Sequence, residues 1–234
     1  MRHQIRWTLD KIEKRLALLK EREYYDRRIL PPFRYRYHTS PDEAVQTKIE
    51  VDDSNWPIIQ YHEYWANPRT DFLLRTTFEL PEEWLSADVF NKGKFKIALH
   101  LPIGDSGDFS HPEALVFIDG EPFAACDRHH QEVILPERFC DTRKHIIALH
   151  GWTGIGGASI RELTDRLKMN PCEIVLIDQA ARDFLALARV SHGIARQLSD
   201  DDPAKSHLLT AVDEAFKEID LRHQSGRYIY DLIP

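Results

Sequence analysis

In the stretch Glu113-Ala114-Leu115-Val116-Phe117-Ile118-Asp119-Gly120-Glu121-Pro122, an apolar run rich in β-formers meets Asp119-Gly120, a pair that tolerates positive φ at a hairpin turn. A strand followed by a tight turn is the expectation. On either side the pattern continues. Phe95, Ile97, Leu99 and Leu101 alternate with Lys96, Ala98 and His100, the period of two of a half-buried strand. Residues 72–80 (FLLRTTFEL) favour extended backbone and stop at Pro81. Further short runs occupy 132–135, 145–150 and 173–177. No helical segments interleave with them, and no repeat with a period of roughly 20–50 residues recurs. Residues 33–177 therefore predict an antiparallel β-sandwich rather than a parallel sheet.

The flanks read as helices. Ile5, Leu9, Ile12, Leu16 and Leu19 recur at spacings of four and three, while Lys11, Lys14, Arg15, Lys20 and Arg22 take the other faces. Residues 1–32 are expected to form a helix packed on its own chain, stopped by Pro31-Pro32. From 178 to 234 a helical pair is expected. Asp178 supplies a cap, and Ala180, Phe184, Leu187, Ile194 and Leu198 mark one face. Asp200-Asp201-Asp202-Pro203 marks a break and restart, and Leu208, Val212, Ala215 and Ile219 mark the second helix. The tail Tyr228-Ile229-Tyr230-Asp231-Leu232 is apolar for a terminus.

Composition narrows the function classes. The 234 residues are 42% hydrophobic and 29% charged, enough to bury a core. Lysine plus arginine number 31 against 38 acids, a net charge of −7, which ill suits a phosphate backbone. Nucleic acid is not an expected partner. No apolar run approaches the roughly 20 residues that cross a bilayer, and the charged N-terminal stretch is unlike a signal peptide. Three irregularly spaced cysteines (Cys126, Cys140 and Cys172) argue against a disulfide framework and for a reducing cytoplasm.

Motifs that carry chemistry fare poorly. Gly104-Asp105-Ser106-Gly107 has the look of a serine-protease nucleophile, but Asp108 stands where that pattern needs glycine, and a polar turn is expected. Gly151-Trp152-Thr153-Gly154-Ile155-Gly156-Gly157 lacks the lysine and hydroxyl of a phosphate loop: Ala158-Ser159 follow. It reads as a flexible loop at the sandwich rim. Cys126, His129, His130, Cys140 and His145 lack the paired short spacings of a zinc site, so no metal is expected. With 38 acids, no catalytic pair of carboxylates can be selected, and no catalytic residue is assigned. Trp56, Tyr61, Tyr64, Trp65, Trp84 and Trp152 are rings that can stack on sugar or pack internally. Trp65 and Trp152 are the candidates for sugar contact.

The hairpin stretch, with Asp127-Arg128-His129-His130 and Val133-Ile134-Leu135 after it, resembles the non-catalytic N-terminal sandwich of glycoside hydrolase family 38 α-mannosidases of the cytosolic and vacuolar class. In that pattern an Asp-Gly turn is followed by aspartate, two spacers and histidine, and Asp127 and His130 fall on it. Thr8-Leu9-Asp10-Lys11-Ile12-Glu13 resembles the family's opening helix, and Phe78-Glu79-Leu80-Pro81-Glu82-Glu83-Trp84 its strand with proline and tryptophan. Ala181-Arg182-Asp183-Phe184, Asp201-Asp202-Pro203 and Phe216-Lys217-Glu218-Ile219-Asp220-Leu221 resemble its helical linker.

The resemblance implies a mainly β fold, a jelly-roll-like sandwich with an N-terminal helix and a C-terminal helical pair. It also implies an architectural role beside an α-mannosidase catalytic domain, a parent that hydrolyses α-mannosides with a carboxylate nucleophile and a zinc ion. The Gly-His-Ser-His-Ile-Asp type segment that opens that site does not occur here, so the chain is expected to be an inactive piece of a longer enzyme. Its implied partners are that catalytic domain, carbohydrate and further copies of the chain. Asp127 and His130, like Asp119 and Gly120, are expected to hold turns. The alternative is an independent carbohydrate-binding module of the sandwich type.

Overall fold

A computed structural model describes residues 2–38, 45–86, 94–103, 112–154 and 167–219. The protein is mainly β, a jelly-roll-like antiparallel sandwich with an N-terminal helix and a C-terminal helical pair. Gly104-Asp105-Ser106-Gly107, the later glycines 156–157 and the apolar tail lie outside the described residues. The chain divides into two compact units, Met1–Asp26 with Ala87–Lys96 and Leu176–Pro234, and Arg27–Ser86 with Ile97–Val175.

The first unit contains helices α1 (Arg2–Lys20), α2 (Gln179–Gln197) and α3 (Pro203–Glu218). Ile12, Leu16 and Leu19 of α1 meet Leu185 of α2 and Leu209, Val212 and Phe216 of α3 in a shared core. Asp178 caps α2, its carboxylate accepting from the Ala181 amide at 2.9 Å. Asp202 caps α3 at 2.8 Å from the Ala204 amide, and Pro203 occupies the first turn. Asp213 of α3 receives Lys11 at 2.7 Å and Arg15 at 2.9 Å, both from α1.

Two helical expectations are corrected. α1 ends at Lys20, before Pro31-Pro32, because the aromatic stretch that follows enters a sheet as strand β1 (Tyr24–Ile29). In α2 the buried face is Ala181, Leu185, Ala188, His192 and Ala195; Ala180 and Phe184 of the expected face pack against that core, whereas Leu187 and Ile194 are 67% and 47% exposed. The physical reason is size. Alanine recurs every seventh residue at 181, 188 and 195, and a methyl lets two helices approach closely. Choosing the face by its largest side chains misses it. His192 shares that face and bonds through Nε2 to the Leu9 carbonyl at 3.1 Å. In α3 the buried positions are Lys205, Leu209, Val212 and Phe216, with Leu208 and Ile219 packed at the margin.

In the second unit, a six-stranded sheet has the order β3 (Ile58–Ile59), β2 (Phe33–His38), β5 (Asp71–Phe78), β10 (His145–Trp152), β7 (Glu113–Ile118), β8 (Glu121–Asp127). The short pair β11 (Leu167–Lys168) and β4 (Tyr64–Ala66) also lies in this unit, and a four-stranded sheet of order β1, β12 (Glu173–Asp178), β6 (Phe95–His100), β9 (Glu132–Ile134) draws strand residues from both units. Asp119 and Gly120 join β7 to β8 with φ of 53° and 85°, the two positive values of a primed hairpin turn. The Asp119 carboxylate also accepts from the Ile146 amide at 2.9 Å, and its other oxygen lies 2.6 Å from Nδ1 of buried His145. That ring stacks on Phe78 at 5.0 Å.

Register places the site. Asp71 lies opposite Trp152, Trp152 opposite Glu113, and Glu113 opposite Asp127. Directly opposed side chains share a face, so these four form one row across β5, β10, β7 and β8. The next row on that face contains Leu73, His150, Leu115 and Ala125, and the one after it Arg75 and Ala148. Residues 45–56 run over the Arg75 end. Nε of Arg75 donates to Asp53 at 2.8 Å and Nη1 to the Gln46 carbonyl at 2.7 Å. Trp56 lies 6.0 Å from that guanidinium, and Arg34 donates to the Ser54 and Trp56 carbonyls.

Candidate functional site

At the opposite end of this face, where β5 and β7 begin and β8 and β10 finish, lies a cavity of about 520 Å³. That is within the size range of small-molecule sites, about 300–1,000 Å³. Asp71, Glu113, Asp127, His130, His150 and Trp152 line it, with Leu115 adding an apolar wall. Trp152 remains 37% exposed at the end of its strand. Its backbone is held in place by Gly151. A Cβ there would sit 2.3 Å from the Glu113 carbonyl oxygen and 2.7 Å from Phe72, so only glycine lets β10 pass β7 this closely. The expectation of a flexible loop from Gly151 onward is corrected for Gly151 and Trp152, which are strand residues, and Thr153 is buried. Thr153 is tied down through Oγ1, which donates to the Asn67 carbonyl at 2.8 Å and accepts from the Thr70 amide at 2.9 Å.

The polar groups differ in what remains available to a ligand. Oδ1 of Asp127 accepts from the His129 and His130 amides at 2.7 and 2.8 Å, and both its oxygens lie 3.0 Å from Nδ1 of His130. The His130 side chain, followed by the His129 amide, holds the Asp127 carboxyl down at about 2. This carboxylate is committed to its own turn. Asp71 and Glu113 have no hydrogen bond or ion pair among the described residues. His150 is pushed towards its neutral form, first by burial and then by His38, whose ring lies 4.8 Å away.

Of the residues singled out in the sequence, the structure brings Trp152, Asp127 and His130 together at the cavity. Asp119 and Gly120 stand at the opposite end of β7. Trp65 is not among the cavity's lining residues. It packs edge-on against Phe72 at 5.0 Å and Tyr35 at 6.1 Å, and its carbonyl accepts from the Tyr37 hydroxyl at 3.0 Å. Trp84 is buried, and Tyr61 donates to the Leu30 carbonyl at 2.7 Å. Cys126 also borders the cavity, where burial pushes its thiol up to about 12, far from a reactive thiolate. Among the described residues no three His, Cys, Asp or Glu side chains are placed to hold a metal ion. Asp71, Glu113 and His150 were missed by sequence reasoning. Each is an ordinary polar residue of a strand, and only the cross-strand register assembles them.

No family model matches the chain, and no curated protein matches it. Solved structures with similarity include a β-glucuronidase from glycoside hydrolase family 2, at 13% identity and a TM-score of 0.42, covering 67% of this chain and 18% of that one. A calcium-binding mutant of Bacteroides uniformis β-glucuronidase 2 gives 14% identity and a TM-score of 0.44, over 64% of this chain and 18% of that one. A Ruminococcus gnavus β-glucuronidase bound to an N1-substituted uronic isofagomine gives 13% and 0.40, over 66% and 30%. The chain thus spans less than a third of the length of these proteins.

Proposed function

We propose that the chain is a non-catalytic sandwich region of a glycoside hydrolase, with an α-mannosidase of family 38 as the parent its motifs resemble. One observation carries this reading: the residues that make the resemblance do structural work. Asp119-Gly120 turns a hairpin, Asp127 caps the following turn, Trp84 is core, and Asp202-Pro203 starts a helix. None of them is arranged as a reacting centre. Catalytic chemistry, including the zinc ion of the parent, belongs to residues of another domain, which would be this region's partner. A cytoplasmic home is part of the same proposal. The test is release of aglycone from a chromogenic α-mannoside by the pure chain, with and without zinc or cobalt. No turnover is expected, and turnover overturns the reading.

A second reading, a carbohydrate-binding module, is favoured by the cavity beside Trp152. An exposed indole offers an apolar face to sugar C–H groups, and acceptor groups around it suit hydroxyls. Calorimetry against mannose and manno-oligosaccharides tests it, with saturable binding expected and its absence at millimolar sugar the contrary result.

A further inference from the structure

The cavity at the Trp152 end of the sheet face has a chemistry more specific than sugar in general. Three carboxylates, Asp71, Glu113 and Asp127, stand in its lining beside His130, His150 and the Trp152 indole. Asp71 and Glu113 are carboxylates without hydrogen-bond or ion-pair partners among the described residues, and Asp127 stands next to Glu113 in the same row. Neither lysine nor arginine occurs among the described lining residues. Trp152 lies between Asp71 and Glu113 in that row, and an indole is the aromatic face that attracts an ammonium most strongly. A carboxylate-bearing ligand would meet three like charges here, with no guanidinium or ammonium among the described lining residues to receive it.

We infer that this cavity binds a pyranose carrying a free ammonium group, with the ring stacked on Trp152 and the ammonium between the indole and the carboxylates of Asp71 and Glu113. The inference rests on the carbohydrate-binding reading and is independent of any parent enzyme. The rim position sets its strength: Asp71 and Glu113 are exposed, so the charge contribution is screened by salt and stays modest. An uncharged sugar would keep the stacking and lose the charge pairing. A uronate would lose both through repulsion.

The experiment is titration of the full chain, by calorimetry and by Trp fluorescence, with glucosamine, mannosamine, glucose, mannose and glucuronate at low and high salt. An amino sugar is expected to bind about tenfold more tightly than its neutral counterpart at low salt, with the ratio shrinking in salt, and glucuronate is expected not to saturate. Glu113→Gln keeps the shape and removes a charge. It should weaken the amino sugar several-fold more than its neutral counterpart, a difference that a merely structural role would not produce. Trp152→Ala should weaken every sugar, with the melting temperature monitored to separate lost stacking from lost fold. Equal affinity for amino and neutral sugars overturns the inference and leaves the carbohydrate-binding reading standing. Saturable glucuronate binding overturns the inference as well. No binding by any sugar overturns both, and none of these outcomes touches the accessory-domain reading.

Discussion

The two ends of one sheet face are built from the same strands and behave in opposite ways. At one end Arg75 is fully buried, and residues 45–56 cover it with Asp53, the Gln46 carbonyl and Trp56. At the other, four positions along β5, Asp71 faces the cavity with no such cover among the described residues. That separation is about 13 Å. Alternation along a strand therefore does not say whether an outward residue is a structural anchor or a recognition group. What lies across it does. A charge under cover must be paired to be tolerable, whereas a charge at an open rim keeps its capacity for a ligand.

The contrast can be broken by mutation. Asp53→Ala should have the largest effect, about 3 kcal/mol, because it strands a buried guanidinium that already has one nitrogen, Nη2, unpartnered. Urea denaturation measures it, and a cost below about 1 kcal/mol would mean that the Arg75 end is not a closed anchor. Gly151→Ala comes next at about 1–3 kcal/mol, since the added methyl meets the Glu113 backbone oxygen as well as Ala114 and the buried Phe72 ring. The same variant should displace Trp152, seen as a shift in its fluorescence. Acid titration gives a smaller signal. The Asp127 carboxyl is lowered from 3.8 to about 2, so its turn gains stability that is fully present above pH 3.8 and lost as the pH falls through about 2. The His129 and His130 amide resonances should move together in that window, and Asp127→Asn should abolish the movement. Asp71→Asn should have the least effect on folding, within about 0.5 kcal/mol, because the group is exposed and makes no hydrogen bond or ion pair with described residues.

Legibility in the sequence followed the range of the interactions. The Asp119-Gly120 hairpin, the Asp178 and Asp202 helix starts and the extended run of β6 are settled within a few residues of themselves and read directly, although Ala98, expected outward, is buried with Ile97 and Leu99. Strand β1 did not, because Tyr24–Ile29 follows a strong helical pattern and becomes extended through pairing with β12, distant in the chain. The α2 face was misread because burial there selects small side chains. For the site, Trp152 was visible as a tryptophan. Asp127 and His130 were visible as a turn, but Asp71, Glu113 and His150 were not, since they join that turn only through registers set by the whole sheet. Trp65 was equally visible as a tryptophan, but it packs edge-on against Phe72 and Tyr35 away from the cavity lining.

The alanines at 181, 188 and 195 carry one more consequence. A methyl wedged between rods acts as a gauge block: it sets their separation and cannot shrink or swivel to accommodate a graft. Enlarging any of the three would have to shove a helix bodily aside, while Leu187 and Ile194, on the outside of the same rod, can be exchanged for polar residues without the bundle registering the change.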